Sequence, residues 1–159
     1  MLVIGELSAW DLRKHKEQVL ETLRASLDSE KEVEAAWKGV EEKKMVVWGV
    51  GRDDDIVAYV ATTVIAQGPV RRFVIYAMRS CGHLTDDEWR EGFGKMLETA
   101  KNLECNEMRA FTANPEIVRV LRDVLGWTIK QDCSFTIEYP QEAQQALQPA
   151  KGPEVSVPQ

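Results

Sequence analysis

The chain has 159 residues, 44% of them hydrophobic and 29% charged, with a formal net charge of −6. That balance suits one soluble domain with a proper core, and basic pairs such as Lys43-Lys44 and Arg71-Arg72 are too short to track a nucleic-acid backbone. No membrane-length apolar run and no signal-type leader is expected. Cys81, Cys105 and Cys133 lack the paired spacing of metal ligands, so the expectation is reduced thiols in a cytoplasmic protein and no metal.

"LVIGEL" (2–7) reads as a first strand. Ser8-Ala9-Trp10-Asp11 is a capping box with Asp in the place of Glu. Leu12, Val19, Leu23 and Leu27 follow at helical spacing, which predicts one amphipathic helix over 9–27. Val33, Ala36, Trp37 and Val40 predict a second helix over 29–42. The texture then turns β-branched and aromatic in "KMVVWGVG", "DIVAYVATTVIAQ" and "RRFVIYAMR". Two turn signals, Gly51 to Asp55 and Gln67-Gly68-Pro69, separate these runs and predict a three-strand antiparallel meander covered on both faces. Asp53, Asp54 and Asp55 read as a solvated hairpin tip.

"WREGFGKML" (89–97) admits two readings. Its glycines and basic residues suggest a phosphate loop. But Thr85-Asp86-Asp87-Glu88 is a full capping box, and Trp89, Phe93, Met96, Leu97, Ala100 and Leu103 form one apolar face that runs through Gly92 and Gly94. Each interior glycine costs ~1 kcal/mol, and a cap returns about as much. Burial of Trp and Phe adds roughly 1.5–3 kcal/mol each, so the helix starting at Thr85 is favoured. The glycines then allow close approach of a neighbouring element. An anion would sit instead in the loop 79–84, on backbone N–H groups shared with the helix start. Asp86, Asp87 and Glu88 already fill the positive end of that dipole and oppose a pyrophosphate.

"EMRAFTA" (107–113) reads as a strand. Asn114-Pro115 opens a helix with Ile117, Val120, Leu121 and Val124 on one face, and Gly126 ends it. "TIKQDCSFTIEY" (128–139) reads as a closing strand. From Pro140 the chain loses its aromatics and gathers Pro and Gln, so 140–159 is expected to be a disordered tail. The five tryptophans fall mostly on apolar stripes and read as core, with an exposed partner anchor as the alternative for one of them.

This order of elements resembles the GNAT superfamily of acetyl-CoA-dependent N-acetyltransferases over roughly residues 2–139. Its most specific piece is "TANPEIVRVLRDVLGW", where Asn114 matches the family's Asn and Gly126-Trp127 its Gly followed by an aromatic. The texture is also similar to short degenerate members encoded by tailed phages, which implies virion association as an alternative to a free cytoplasmic protein. The resemblance implies an α+β domain, a mixed and largely antiparallel sheet with helices on both faces. It implies acetyl-CoA as cofactor, with the pantetheine arm inserted between "FVIYAMR" and "EMRAFTA". A main-chain N–H near Ala77 or Met78 would polarise the thioester carbonyl. Arg79, Ser80, Gly82 and Thr85 would hold the pyrophosphate, Asn114 would touch the cofactor, and His83 would be the candidate general base. Asn114 serves equally as a helix cap, and His83 equally as a solvated loop residue.

Two family signatures are missing. In the pattern Gln or Arg, two residues, Gly, one residue, Gly or Ala, the first place falls on Trp89, and Arg90 is one position off. The family's thiolate-protonating Tyr falls on Leu121 counted from Asn114, or on Arg122 counted back from Gly126, because this helix is one residue longer. Neither protonates a thiolate readily. These two departures, together with the acidic helix start, favour a GNAT-like domain that has lost catalysis and acts by binding another protein. The alternative is an acetyl-CoA-dependent N-acetyltransferase with an atypical pyrophosphate loop.

Overall fold

Three capping boxes and two tight hairpins set the boundaries of most elements. The computed structural model describes residues 1–112 and 114–130. Strand β1 (Leu2–Glu6) leads into helices α1 (Ala9–Lys14), α2 (Lys16–Ser26) and α3 (Glu30–Glu41). A meander follows in β2 (Val46–Arg52), β3 (Asp55–Gln67) and β4 (Val70–Ser80), then α4 (Asp86–Asn102) and β5 (Glu107–Ala110). Helix α5 (Pro115–Arg119) runs on into a π-helical turn at Val120–Val124. The sheet order is β1-β2-β3-β4-β5, antiparallel except for the parallel pair β4–β5.

Alternation along the strands builds two cores. On one face Tyr59, Ala61 and Ala77 meet Val19 and Leu23 of α2 and Val33, Ala36 and Val40 of α3. On the other face Val60, Phe73 and Ile75 meet Trp89, Phe93 and Met96 of α4 and Ile117 and Val120 near α5. The α+β architecture with helices on both sheet faces agrees with the sequence reading. Helix α4 also passes through both glycines, from a capping box at Thr85. Those glycines do not serve the close approach expected of them. A Cβ at Gly94 would meet nothing within 4 Å, and one at Gly92 only the Leu2 side chain at 3.8 Å, so no neighbouring element requires either.

Three further expectations change. The helix predicted over 9–27 breaks at His15, whose backbone leaves the helical region (φ −105°, ψ 19°). The imidazole Nδ1 lies 3.0 Å from the Tyr59 hydroxyl, a contact that periodicity cannot foresee. Trp10 is 60% exposed instead of core, with the Lys14 ammonium 5.0 Å above its ring. The strand predicted over 107–113 stops at Ala110, where its pairing with β4 ends. The closing strand beyond residue 130, Cys133 and the tail from Pro140 lie outside the described residues.

Strand β4 carries one irregularity. Ala61 stands opposite Ala77 but Thr62 stands opposite Ile75, so Tyr76 is an extra residue in β4. Such a bulge turns two consecutive side chains to one face. Tyr76 and Ala77 accordingly both pack toward α2 and α3, whereas Phe73 and Ile75 face α4.

Candidate functional site

The site begins where β4 and β5 part. Their parallel ladder ends at Ile75 and Ala110, with a last bond from Phe111 N–H to the Ile75 carbonyl at 3.3 Å. Strand β4 runs on to Ser80 without β5 beside it. The gap is a cleft of about 260 Å³, with Met78, Arg79 and Ser80 on one wall and Thr112, Asn114, Glu116 and Ile117 on the other. Ala25 and Ser26 at the end of α2, and Trp89 of α4, complete it.

Backbone direction follows from the bulge. Cys81 N–H donates to the Val57 carbonyl at 2.8 Å, and Arg79 and Ala77 stand opposite Tyr59 and Ala61. Odd-numbered amides at this end therefore turn toward β3, and alternation directs those of Met78 and Ser80 toward the vacated edge. Ile75 faces β5, so unbroken alternation would bring Ala77 to the vacated edge; the bulge shifts that place by one residue, to Met78.

Charge is arranged around the cleft in pairs. Arg79 donates to Glu21 of α2 at 2.5 Å. At the start of α4, each first-turn carboxylate has an arginine: Asp86 with Arg119 at 3.2 Å, Asp87 with Arg90 at 2.7 Å, and Glu88 with Arg52 at 2.8 Å. The sequence shows three uncompensated acids there, whereas the fold brings Arg52 and Arg119 from distant elements to balance them. The Thr85 amide, foremost, and the Arg52 guanidinium hold the Glu88 carboxyl below its ordinary range. Burial pushes the Cys81 thiol up, against the pull of Arg79.

Of the residues singled out from sequence, Met78, Arg79, Ser80 and Asn114 line one cleft. Ala77 is buried in the α2–α3 core with 1% exposure. Gly82, His83 and Thr85 stand outside the cleft lining. Thr85 donates its N–H to Glu88 at 2.8 Å, and its hydroxyl accepts from the Glu88 N–H at 3.2 Å. His83 is exposed, and its carbonyl accepts from Arg52 at 3.4 Å. The Asn114 side chain accepts from Glu116 N–H at 3.0 Å, an N-cap bond. Among the described residues no three His, Cys, Asp or Glu side chains stand close enough together to hold a metal. Sequence reasoning missed Ala25, Ser26 and Glu116, which reach the cleft only through the packing of α2 and the turn into α5. It also read Trp89 as core alone.

The π turn accounts for the longer last helix. Leu125 N–H donates to the Val120 carbonyl at 3.0 Å and Trp127 N–H to the Leu121 carbonyl at 2.8 Å, each one residue further back than an α-helical end would have it. Gly126, at φ +68°, is the left-handed residue that ends it. Leu121 is buried and Arg122 is exposed and paired with Asp123 at 2.7 Å.

No protein-family model matches the sequence, and no curated protein matches it. Solved structures do match. A ribosomal-protein-alanine N-acetyltransferase from Brucella melitensis biovar Abortus 2308 superposes with a TM-score of 0.64 at 12% identity, over 87% of this chain and 99% of that one. A transcriptional regulator from Bacillus halodurans C-125 gives 0.60 at 16% identity, over 87% and 100%. A predicted acetyltransferase from Clostridium acetobutylicum, solved with acetyl-CoA, gives 0.56 at 16% identity, over 90% and 98%. At these identities the likeness establishes the fold, which is of the GNAT type.

Proposed function

We propose that this chain binds an acyl-CoA in the cleft between β4 and β5 and transfers the acyl group to an amine, so that the thioester C–S bond breaks as the amide forms and CoA leaves as its thiol with the proton the amine gives up. The observation that carries this reading is the Tyr76 bulge, which turns the Met78 N–H into a cleft that β5 has vacated. Edge amides at Met78 and Ser80 suit an extended, amide-bearing arm such as pantetheine, and the open cleft suits its width. Bound acetyl-CoA supplies the activated acyl group. Met78 N–H opposes the negative charge that grows on the carbonyl oxygen during attack by the amine. Arg79 and the backbone around Gly82 take the phosphates, with Asn114 beside the arm. Glu21 and Glu116 draw in an acceptor that is an ammonium before it loses its proton. His83 remains the base candidate for an acceptor that enters over the loop 81–85. This reading replaces the preference for a degenerate domain, because the balanced helix start removes one of its three grounds.

Thermal unfolding with and without acetyl-CoA tests it. Ligand at ~100 times its dissociation constant stabilises by about 2.7 kcal/mol, which raises Tm by roughly 5–10 °C at this chain length. Met78→Pro removes an amide that makes no ladder bond, so the fold is kept while transfer to a reactive amine drops by about 100-fold or more. No shift at millimolar acetyl-CoA or CoA sinks the reading. A protein-binding role, with exposed Trp10 as the first anchor to substitute, then takes its place.

A further inference from the structure

Trp89 carries a hydrogen-bond donor with nowhere to go. The residue is 5% exposed, and its Nε1 is the one buried side-chain polar atom among the described residues without a hydrogen-bond partner. Trp48, by contrast, donates its Nε1–H to Thr62 at 2.8 Å. A buried donor left unpaired destabilises the empty protein, so an orphan at a cleft is a candidate for a partner supplied from outside.

Trp89 and Met78 line two spaces at once, the cleft of about 260 Å³ and a small apolar cavity of about 30 Å³ beside it. The small cavity is walled by apolar groups, including Leu2, Val60 and Phe93, and offers no acceptor. Glu88 borders it too, but its carboxylate is engaged by Thr85 and Arg52. An acceptor must therefore come from the cleft side. Met78 is unbranched and flexible, and the small cavity beside it has room for a methyl-sized displacement.

We infer that the Trp89 indole N–H is a ligand donor, which hydrogen-bonds a carbonyl oxygen on the acyl-pantetheine arm once Met78 swings toward the small cavity. This inference rests on the acyl-CoA reading. The indole is a neutral, single donor set beside Met78 and Ile117, which matches an amide or thioester carbonyl; the anionic phosphates belong with Arg79 at the rim. Trp89 thus acts as a specificity residue for the arm as well as a core side chain.

Calorimetric titration of the full chain and its Trp89→Phe variant with acetyl-CoA, and with S-acetylpantetheine, which lacks the nucleotide, tests the inference. Phe keeps the ring and removes the donor. The expected result is a dissociation constant about 5–10-fold higher for both ligands, with the melting temperature of the ligand-free variant equal to or above that of the original. The signs are opposed, which a purely structural role does not produce. Equal affinity in the variant overturns the inference and leaves the acyl-CoA reading standing. Failure of the unsubstituted chain to bind either ligand overturns both. If the variant does not fold, the indole N–H resonance of Trp89 in the unsubstituted chain decides. It is assigned through its contact with Phe93, whose ring centroid lies 6.0 Å away. A downfield shift on adding ligand supports the donor role, and an unmoved resonance under saturation overturns it.

Discussion

Glu21 of α2 accepts a hydrogen bond from Arg79 of β4 at 2.5 Å, and Arg79 is part of the cleft wall. The pair therefore joins the helical layer to the strand that carries the proposed binding edge. It also competes with any anion for the guanidinium. Their side chains are 40% and 53% exposed, so the bond contributes little to stability, on the order of 0–1 kcal/mol. Glu21→Gln frees Arg79 and should tighten acetyl-CoA several-fold. Arg79→Met should weaken it by about 10-fold, the worth of a charge-assisted hydrogen bond. Both variants should melt within a few degrees of the original. Calorimetry that shows the two changes moving affinity in the same direction would remove Arg79 from the site.

Gly94 offers a cleaner stability test. It is exposed, mid-helix, and a Cβ there meets nothing within 4 Å. Gly94→Ala should stabilise by about 1 kcal/mol, a rise of roughly 2–4 °C in Tm. Unchanged ligand affinity in the same variant is expected, because α4 is helical through this position. A loss of affinity would restore the phosphate-loop reading of "GFG".

Thr62 is 2% exposed and accepts from Trp48 Nε1 at 2.8 Å, one position from the bulge. Thr62→Val conserves shape and strands the indole donor. The expected cost is about 1–3 kcal/mol, measured by denaturant unfolding, while Thr62→Ser, which keeps the hydroxyl, should lose less. Val and Ser variants of equal stability would show that the hydrogen bond contributes nothing beyond packing.

Acid should act through Glu88. Its carboxyl is held below the ordinary value of 4.5 by the Thr85 amide first and Arg52 second. A group depressed in the folded state adds stability above its unfolded pKa, and loses it as pH falls through the folded value. Glu88→Gln keeps a capping-box side chain but drops the charge paired with Arg52. The gap between the two proteins should be widest near neutral pH and close below pH 4.5. Parallel stability curves across that range would show that the ion pair does not couple to folding.

Local chemistry carried much of the fold into the sequence. Ser8, Ser29 and Thr85 cap their helices as side chain and backbone within one turn dictate. Gly68, at φ +59°, marks the β3–β4 hairpin because it sits where the chain must turn left-handed. The apolar stripe from Trp89 to Ala100 outweighed two glycines, as summed burial outweighs intrinsic propensity. Met78, Arg79, Ser80 and Asn114, named from the family resemblance, do line one cleft. The break at His15 was not legible in the periodicity, and the contact made there is with a hydroxyl forty-four residues away. The exposure of Trp10 departs from the core reading given to most of the tryptophans, and its neighbours at helical spacing, Arg13, Lys14 and Glu17, are charged.

What the sequence determined by itself are properties that depend on neighbours within a turn or two: helix starts, hairpin positions, which face of each element is apolar, and a GNAT-type order of strands and helices. The tertiary structure alone decided the rest. It set the extra residue at Tyr76, the place where β5 leaves β4, the arginines that neutralise the start of α4, and the unpaired indole of Trp89. Each of these is a relation between segments far apart in the chain. Ladder register, charge pairing and hydrogen-bond satisfaction exist only once those segments have packed, and they act over a few ångströms that no spacing along the sequence encodes.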